Sequence, residues 1–95
     1  MLDLTREDIL VLAEDAAIHA IPELDKYWAF NMQTGDQYTL NETAHFVLSH
    51  FGEPTPVGKV LVHFMAEFDV LPRTGEKDFL EILAEYLNEG ILTRR

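Results

Sequence analysis

Few residues in this chain could do chemistry, and their spacing works against most of it. Ser49 is the one serine, it precedes His50, and there is no cysteine. Neighbours on a helix point about 100° apart, so this pair cannot serve as nucleophile and base. His63 and Glu67 stand four apart, on one face if helical, and could share a metal, but no third ligand stands in register with them. His45 and His50 are five apart and splay by about 140°. No HExxH or EF-hand spacing occurs. The glycines are isolated at 35, 52, 58, 75 and 90, which leaves no phosphate-cradling loop. The acid pairs Glu14–Asp15 and Glu23/Asp25 read as solvated, since no pocket signal accompanies them. The reading is therefore of a chain that is not an enzyme and needs neither cofactor nor metal.

Charge narrows the partners. Seventeen acids against seven bases give −10 over 95 residues. Phosphate binding runs on Lys and Arg, so such a field repels nucleic acid and anionic lipid and favours a basic partner. It also serves solubility alone. The chain is 47% apolar, a globular composition. No apolar run reaches the roughly 18 residues of a membrane span. The acidic start Met1–Asp8 lacks the basic region of a signal peptide. Soluble and cytoplasmic is the expectation.

The elements that must position a site follow from pattern. One domain is expected over 1–95, with an extension at 1–14, strands over 16–40 and three helices over 41–92. Thr5 with Asp8 three residues on resembles a helix start, so a short helix is expected near 6–13. A single helix over 6–20 is the alternative. Strands are expected near 16–21 and 26–32, the second rich in aromatics. Gln33–Asp36 supplies turn chemistry, with Gly35 free to take positive φ, and Gln37–Leu40 alternates as a short strand.

Asn41 caps helix one, whose stripe is Ala44, Val47, Leu48 and Phe51, with Gly52 as its C′ stop. Thr55 with Pro56 marks the start of helix two, whose stripe is Val57, Val60, Leu61, Phe64 and Phe68. Gly58 inside it costs about 1 kcal/mol against Ala. Either close packing explains it or the helix carries the cost. Asp69–Gly75 reads as a loop. Helix three runs over about 76–89 and stops at Gly90. Thr93–Arg95 reads as a frayed end. The fold class is α+β, winged-helix-like: two to three short antiparallel strands followed by a three-helix bundle.

Helix three carries more apolar surface than one core needs. Phe79, Ile82, Leu83 and Tyr86 make one stripe, and Leu80, Ala84 and Leu87 widen it on one side. The surplus either packs on the sheet or helix one, or meets a partner. As a DNA-recognition helix it is unsuitable, carrying Glu76, Asp78, Glu81, Glu85 and Glu89 against Lys77.

Tyr38-Thr39-Leu40-Asn41-Glu42-Thr43-Ala44 resembles the Tyr/Leu-Asn-Glu-Thr-Ala motif of the PqqD family. Asp78-Phe79, Ile82-Leu83, Tyr86 and Gly90-Ile91-Leu92 resemble its closing series. The resemblance covers roughly 16–92. Departures are the Gly52–Pro56 connection, Tyr86 in place of an aliphatic residue, and residues 1–14, which have no counterpart. The resemblance implies a non-catalytic RiPP precursor peptide recognition element. Such a domain binds the leader of a ribosomally made precursor as an added strand and presents it to a modifying enzyme, often a radical SAM protein. Carried over by motif, the peptide would meet Gln37, Tyr38, Thr39 and Leu40 on the strand, and Phe79, Leu80, Leu83 and Leu87 on helix three. Asn41, Glu42 and Thr43 would cap helix one. A winged-helix transcription regulator and an orphan protein–protein interaction domain remain alternatives, and the exposed strand edge would also allow a homodimer.

Overall fold

A computed structural model describes residues 4–68 and 72–95. Among these residues six strands form two antiparallel three-stranded sheets, with α1 (Glu42–Ser49) against one sheet and the two later helices against the other. The elements run β1 (Ile9–Leu12), β2 (Ala16–Ile21), a 3-10 turn at Pro22–Leu24, β3 (Lys26–Asn31) and β4 (Asp36–Leu40). There follow α1 (Glu42–Ser49), β5 (Thr55–Pro56), α2 (Val57–Phe68), α3 (Pro72–Asn88) and β6 (Leu92–Arg94). The class is α+β, as the pattern predicts. No described helix is long and apolar enough to cross a membrane.

The contiguous half agrees with the sequence reading. β2, β3 and β4 form one sheet in that order, paired from Ala16↔Asn31 to Ile21↔Lys26 and from Tyr27↔Leu40 to Asn31↔Asp36. Asn41 caps α1, its side-chain oxygen accepting from the Ala44 N–H at 2.7 Å. The predicted stripes form the core: Val47, Leu48 and Phe51, then Val57, Val60 and Phe64, then Phe79 and Leu83 are almost wholly buried.

The other half corrects several expectations. No helix forms near 6–13. Thr5 and Asp8 do make the bonds of a helix start, Thr5 N–H to Asp8 Oδ2 at 2.8 Å and Asp8 N–H to Thr5 C=O at 3.2 Å, but they close an isolated turn. The chain then extends as β1, the middle strand of the second sheet, between β5 and β6. Residues 93–94, expected to fray, lie in β6, paired to β1 as Leu10↔Arg94, Val11↔Thr93 and Leu12↔Leu92. The strands therefore number six rather than two or three, and they do not all precede the helices.

Helix ends shift for physical reasons. α1 stops at Ser49 with His50 in right-handed conformation, and Gly52 has no positive φ. Gly90 does, at φ +79°, and ends α3 as predicted. Thr55 is not a cap: Thr55–Pro56 pairs with Ile9 and Leu10 as β5. The first N–H groups of α2 are satisfied by main-chain carbonyls from the N-terminal segment, Val57 N–H to Asp8 at 2.8 Å and Gly58 N–H to Arg6 at 2.9 Å. That close approach settles the role of Gly58. A methyl group there would lie 2.9 Å from Arg6 Cβ. Of the expected loop, residues 69–71 lie outside the described residues, while Pro72–Gly75 is the first turn of α3, where proline lacks only an N–H that would have no helical partner.

Candidate functional site

The hairpin that ends in β4 is fixed by one buried polar side chain. Asn31 Oδ1 accepts from the N–H groups of Gln33 at 3.0 Å and Thr34 at 3.3 Å, closing an Asx turn. The Gly35 N–H donates to the Asn31 carbonyl at 2.7 Å, and Gly35 adopts φ +83°. β4 leaves this turn with β3 on one side only. Among the described residues its other edge is unpaired, so alternate N–H and C=O groups face outward. Asp36, Tyr38 and Leu40 stand opposite Asn31, Ala29 and Tyr27, and Leu40 turns into the core. Gln37 and Thr39 stand opposite Phe30 and Trp28 and are exposed.

α3 runs beside that edge. Near the β4–α1 junction a depression of about 520 Å³ is lined by Asn41 and Thr43 on one side and Asp78, Glu81, Ile82 and Glu85 on the other. Further along, hydrogen bonding to the Glu89 carboxylate, followed by burial, pushes the Tyr38 hydroxyl up to about 12. At the far end the Gly90 backbone lies against the Asn31 side-chain amide, 3.5 Å from where a Cβ would stand. At 100° per residue, Asp78, Ile82, Glu85 and Glu89 fall within one narrow strip. The site is thus a groove with a main-chain edge for one wall and an acidic strip with one half-buried aliphatic residue for the other. The acids carry a local cost, since like charges at i, i+4 oppose the helix by about 0.2–0.5 kcal/mol per pair.

The predicted site residues divide. Gln37, Tyr38 and Thr39 stand on the open edge. Leu40, Phe79 and Leu83 are core, and the Phe79 ring meets Phe64 at 5.4 Å, so none of the three offers an exposed side chain. Leu80 and Leu87 are half-buried but sit about 180° around α3 from the acidic strip. Leu80 lines a second depression of about 410 Å³ with Leu4, Arg73, Glu76, Lys77 and Ala84, and Glu81 borders both depressions. The surplus apolar face of α3 therefore packs toward the N-terminal segment rather than beside β4. Sequence reasoning passed over Ile82, Glu85 and Glu89 as groove residues. Their i, i+3, i+7 spacing was visible, but only the position of β4 picks that flank.

The other polar side chains are occupied structurally. Ser49 Oγ donates to the His45 carbonyl at 2.6 Å, a bond within its own helix turn. His45 stacks on Tyr27 with ring centroids 4.4 Å apart, and burial lowers its pKa. His50 Nδ1 lies 2.8 Å from the Phe46 carbonyl. Among the described residues no three His, Cys, Asp or Glu side chains are grouped to hold a metal.

No curated protein matches the chain. The solved structure of TbiB1 in complex with the TbiA(beta) leader peptide has a similar fold, with a TM-score of 0.75 over 86% of this chain and 93% of that one, at 21% identity. The model of the family described as coenzyme PQQ synthesis protein D (PqqD) matches residues 26–92, from the start of β3 through α3 to the first residue of β6. With the groove's strand, its helix and most of the chain inside that match, the chain belongs to the PqqD family.

Proposed function

We propose that this protein is a non-catalytic peptide-binding module that takes the leader of a ribosomally made precursor as an added strand on β4 and presents it to a modifying enzyme, such as a radical SAM protein. The observation that carries the reading is the edge of β4 left unpaired among the described residues, with α3 beside it: the depression of Asn41, Thr43, Ile82 and Glu85 stands at one end of the strand, and Gly90 meets Asn31 at the other. An extended peptide there satisfies outward main-chain groups on its own and the protein's side, while the groove selects alternate side chains. Membership of the PqqD family supports the reading. So does the fold likeness to TbiB1, whose solved structure holds a leader peptide. Gln37, Tyr38 and Thr39 are the edge residues, Leu40 contributes main chain, and Ile82, Glu85 and Glu89 form the facing wall. A second copy pairing through β4 would compete with the peptide for the same edge.

Titration of the isotope-labelled protein with a leader peptide of about 15 residues tests this, a strand of half that length being enough to cover β4. Amide signals of 37–40 and 78–89 should shift together. Shifts confined to β2, the other edge of that sheet, or to 5–12 would overturn the site. Ile82→Ala should weaken binding about tenfold by removing the groove's aliphatic surface, whereas Leu80→Ala, on the far flank, should leave the affinity of the folded protein unchanged.

A further inference from the structure

The groove between β4 and α3 carries charge of one sign only. Asp78, Glu81 and Glu85 line the depression at one end, Glu89 follows four residues on beside Tyr38, and among the described residues no lysine or arginine lines that depression. The cations near α3 are placed elsewhere. Arg73 and Lys77 line the depression on the other flank, which Glu81 borders as well, and Arg6 holds Glu76 at 2.7 Å, so Glu85 and Glu89 are the acids farthest from any of these cations along the helix. None of the groove acids takes part in an ion pair among the described residues. Like charges four apart on a helix repel, so this wall is relieved by any positive charge laid along it.

The spacing suits a strand. Glu81, Glu85 and Glu89 are separated by about 6.0 Å along the axis, four residues at 1.5 Å each. Alternate residues of an extended chain are about 6.6–6.8 Å apart. The half-buried Ile82 lines the same depression as Glu81 and Glu85, and the half-buried Tyr38 stands on β4, so apolar surface accompanies the row of carboxylates. Lys and Arg have that same division, an aliphatic stem with a charged tip.

We infer that the peptide accepted by this groove is cationic. Its bound strand carries Lys or Arg at alternate positions, with stems over Ile82 and Tyr38 and charged tips along Glu81, Glu85 and Glu89. This rests on the strand-addition reading above and adds the chemistry of the ligand to it.

Three synthetic peptides test it. They share one strand-forming backbone and carry Lys, Gln or Glu at alternate positions, and their binding to the full chain is followed by fluorescence anisotropy at low and high salt. The Lys peptide should bind about tenfold tighter than the Gln peptide at low salt, with the Glu peptide weakest, and the gap should close as salt screens the charges. The double change Glu81→Gln/Glu85→Gln should close most of the gap between the Lys and Gln peptides. The double change Glu14→Gln/Glu23→Gln alters net charge equally at exposed sites outside the groove and should leave the gap in place. Equal binding by all three peptides would overturn the inference while leaving strand addition standing. So would a gap that survives Glu81→Gln/Glu85→Gln, since the attraction would then come from the overall −10. No binding by any peptide would overturn strand addition and this inference together.

Discussion

The two sheets of this protein have the same number of strands and opposite design. The sheet of β5, β1 and β6 is assembled from the two ends and the middle of the chain, and its edge strands are two and three residues long. The sheet of β2, β3 and β4 is one continuous meander, and its edges are six and five residues long. Exposed edges invite pairing with other chains, and proteins commonly blunt them by shortness or proline. The first sheet uses both devices, with Pro56 in β5. On β4 there is no proline and no lysine, only Asp36 at its turn end. The protein thus closes the sheet that ties its ends together and leaves open the edge that faces α3. One sheet acts as the clasp of the fold, and the other, on the proposed function, is its reading surface.

The hardest test of that division is to damage the clasp and ask what the reader loses. Leu10 is fully buried in the middle strand, with Thr55 on one side and Arg94 on the other. Leu10→Ala should cost about 2–5 kcal/mol in urea unfolding, a large share of a small domain's stability. Leader binding should fall only as the folded fraction falls. A variant that keeps its stability but loses affinity would join the two sheets into one functional unit and break the comparison.

A milder blow falls where the clasp meets α2. Gly58→Ala should gain about 1 kcal/mol of helix propensity. The new methyl group would sit 2.9 Å from Arg6 Cβ and 3.2 Å from the Arg6 carbonyl that caps the helix. Overpacking costs about 1–3 kcal/mol, so the net expectation is a loss of up to about 2 kcal/mol, with faster exchange of the Val57 and Gly58 amides. An unchanged or raised urea midpoint would show that the N-terminal segment yields freely and contributes little as a clasp.

The same division decides what the sequence could reveal. The open sheet is local. Gly35 at its turn, Asn41 at the following cap and the alternation of Gln37–Leu40 are each decided by near neighbours. The clasp is not local. Ile9–Leu12 is an unbroken apolar run that suits a strand or part of a helix, and its pairing partners stand at the middle and the far end of the chain. Thr55-Pro56 carries the signature of a helix start because the real caps, the Arg6 and Asp8 carbonyls, are main-chain groups brought in by the fold. Pro72 fits a stop and a first turn equally well. The groove was half legible for a related reason. Its strand is written in alternation, but α3 has two flanks, and the apolar surplus at Leu80 and Leu87 drew attention to the one that packs inward.

The smallest expected effect reports on the reading surface alone. Tyr38 stands in β4 and Tyr27 in β3, while the clasp contains no tyrosine. Hydrogen bonding to Glu89 and then burial raise the Tyr38 hydroxyl to about 12, against 10 for the free side chain. Its folded pKa is above its unfolded one. The stability this contact gives is therefore complete below pH 10 and is lost as pH rises from 10 toward 12. Burial raises the Tyr27 and Tyr86 hydroxyls as well, so Tyr38 is followed by its own ring NMR signals: it should ionise near pH 12, and Glu89→Gln should bring it back toward 10. If it does, Tyr38 and Glu89 face each other across the groove and α3 lies where a peptide strand on β4 would meet it. If Tyr38 ionises near 10 in the unaltered protein, α3 stands away from the edge, and the open sheet loses the wall that makes it a groove.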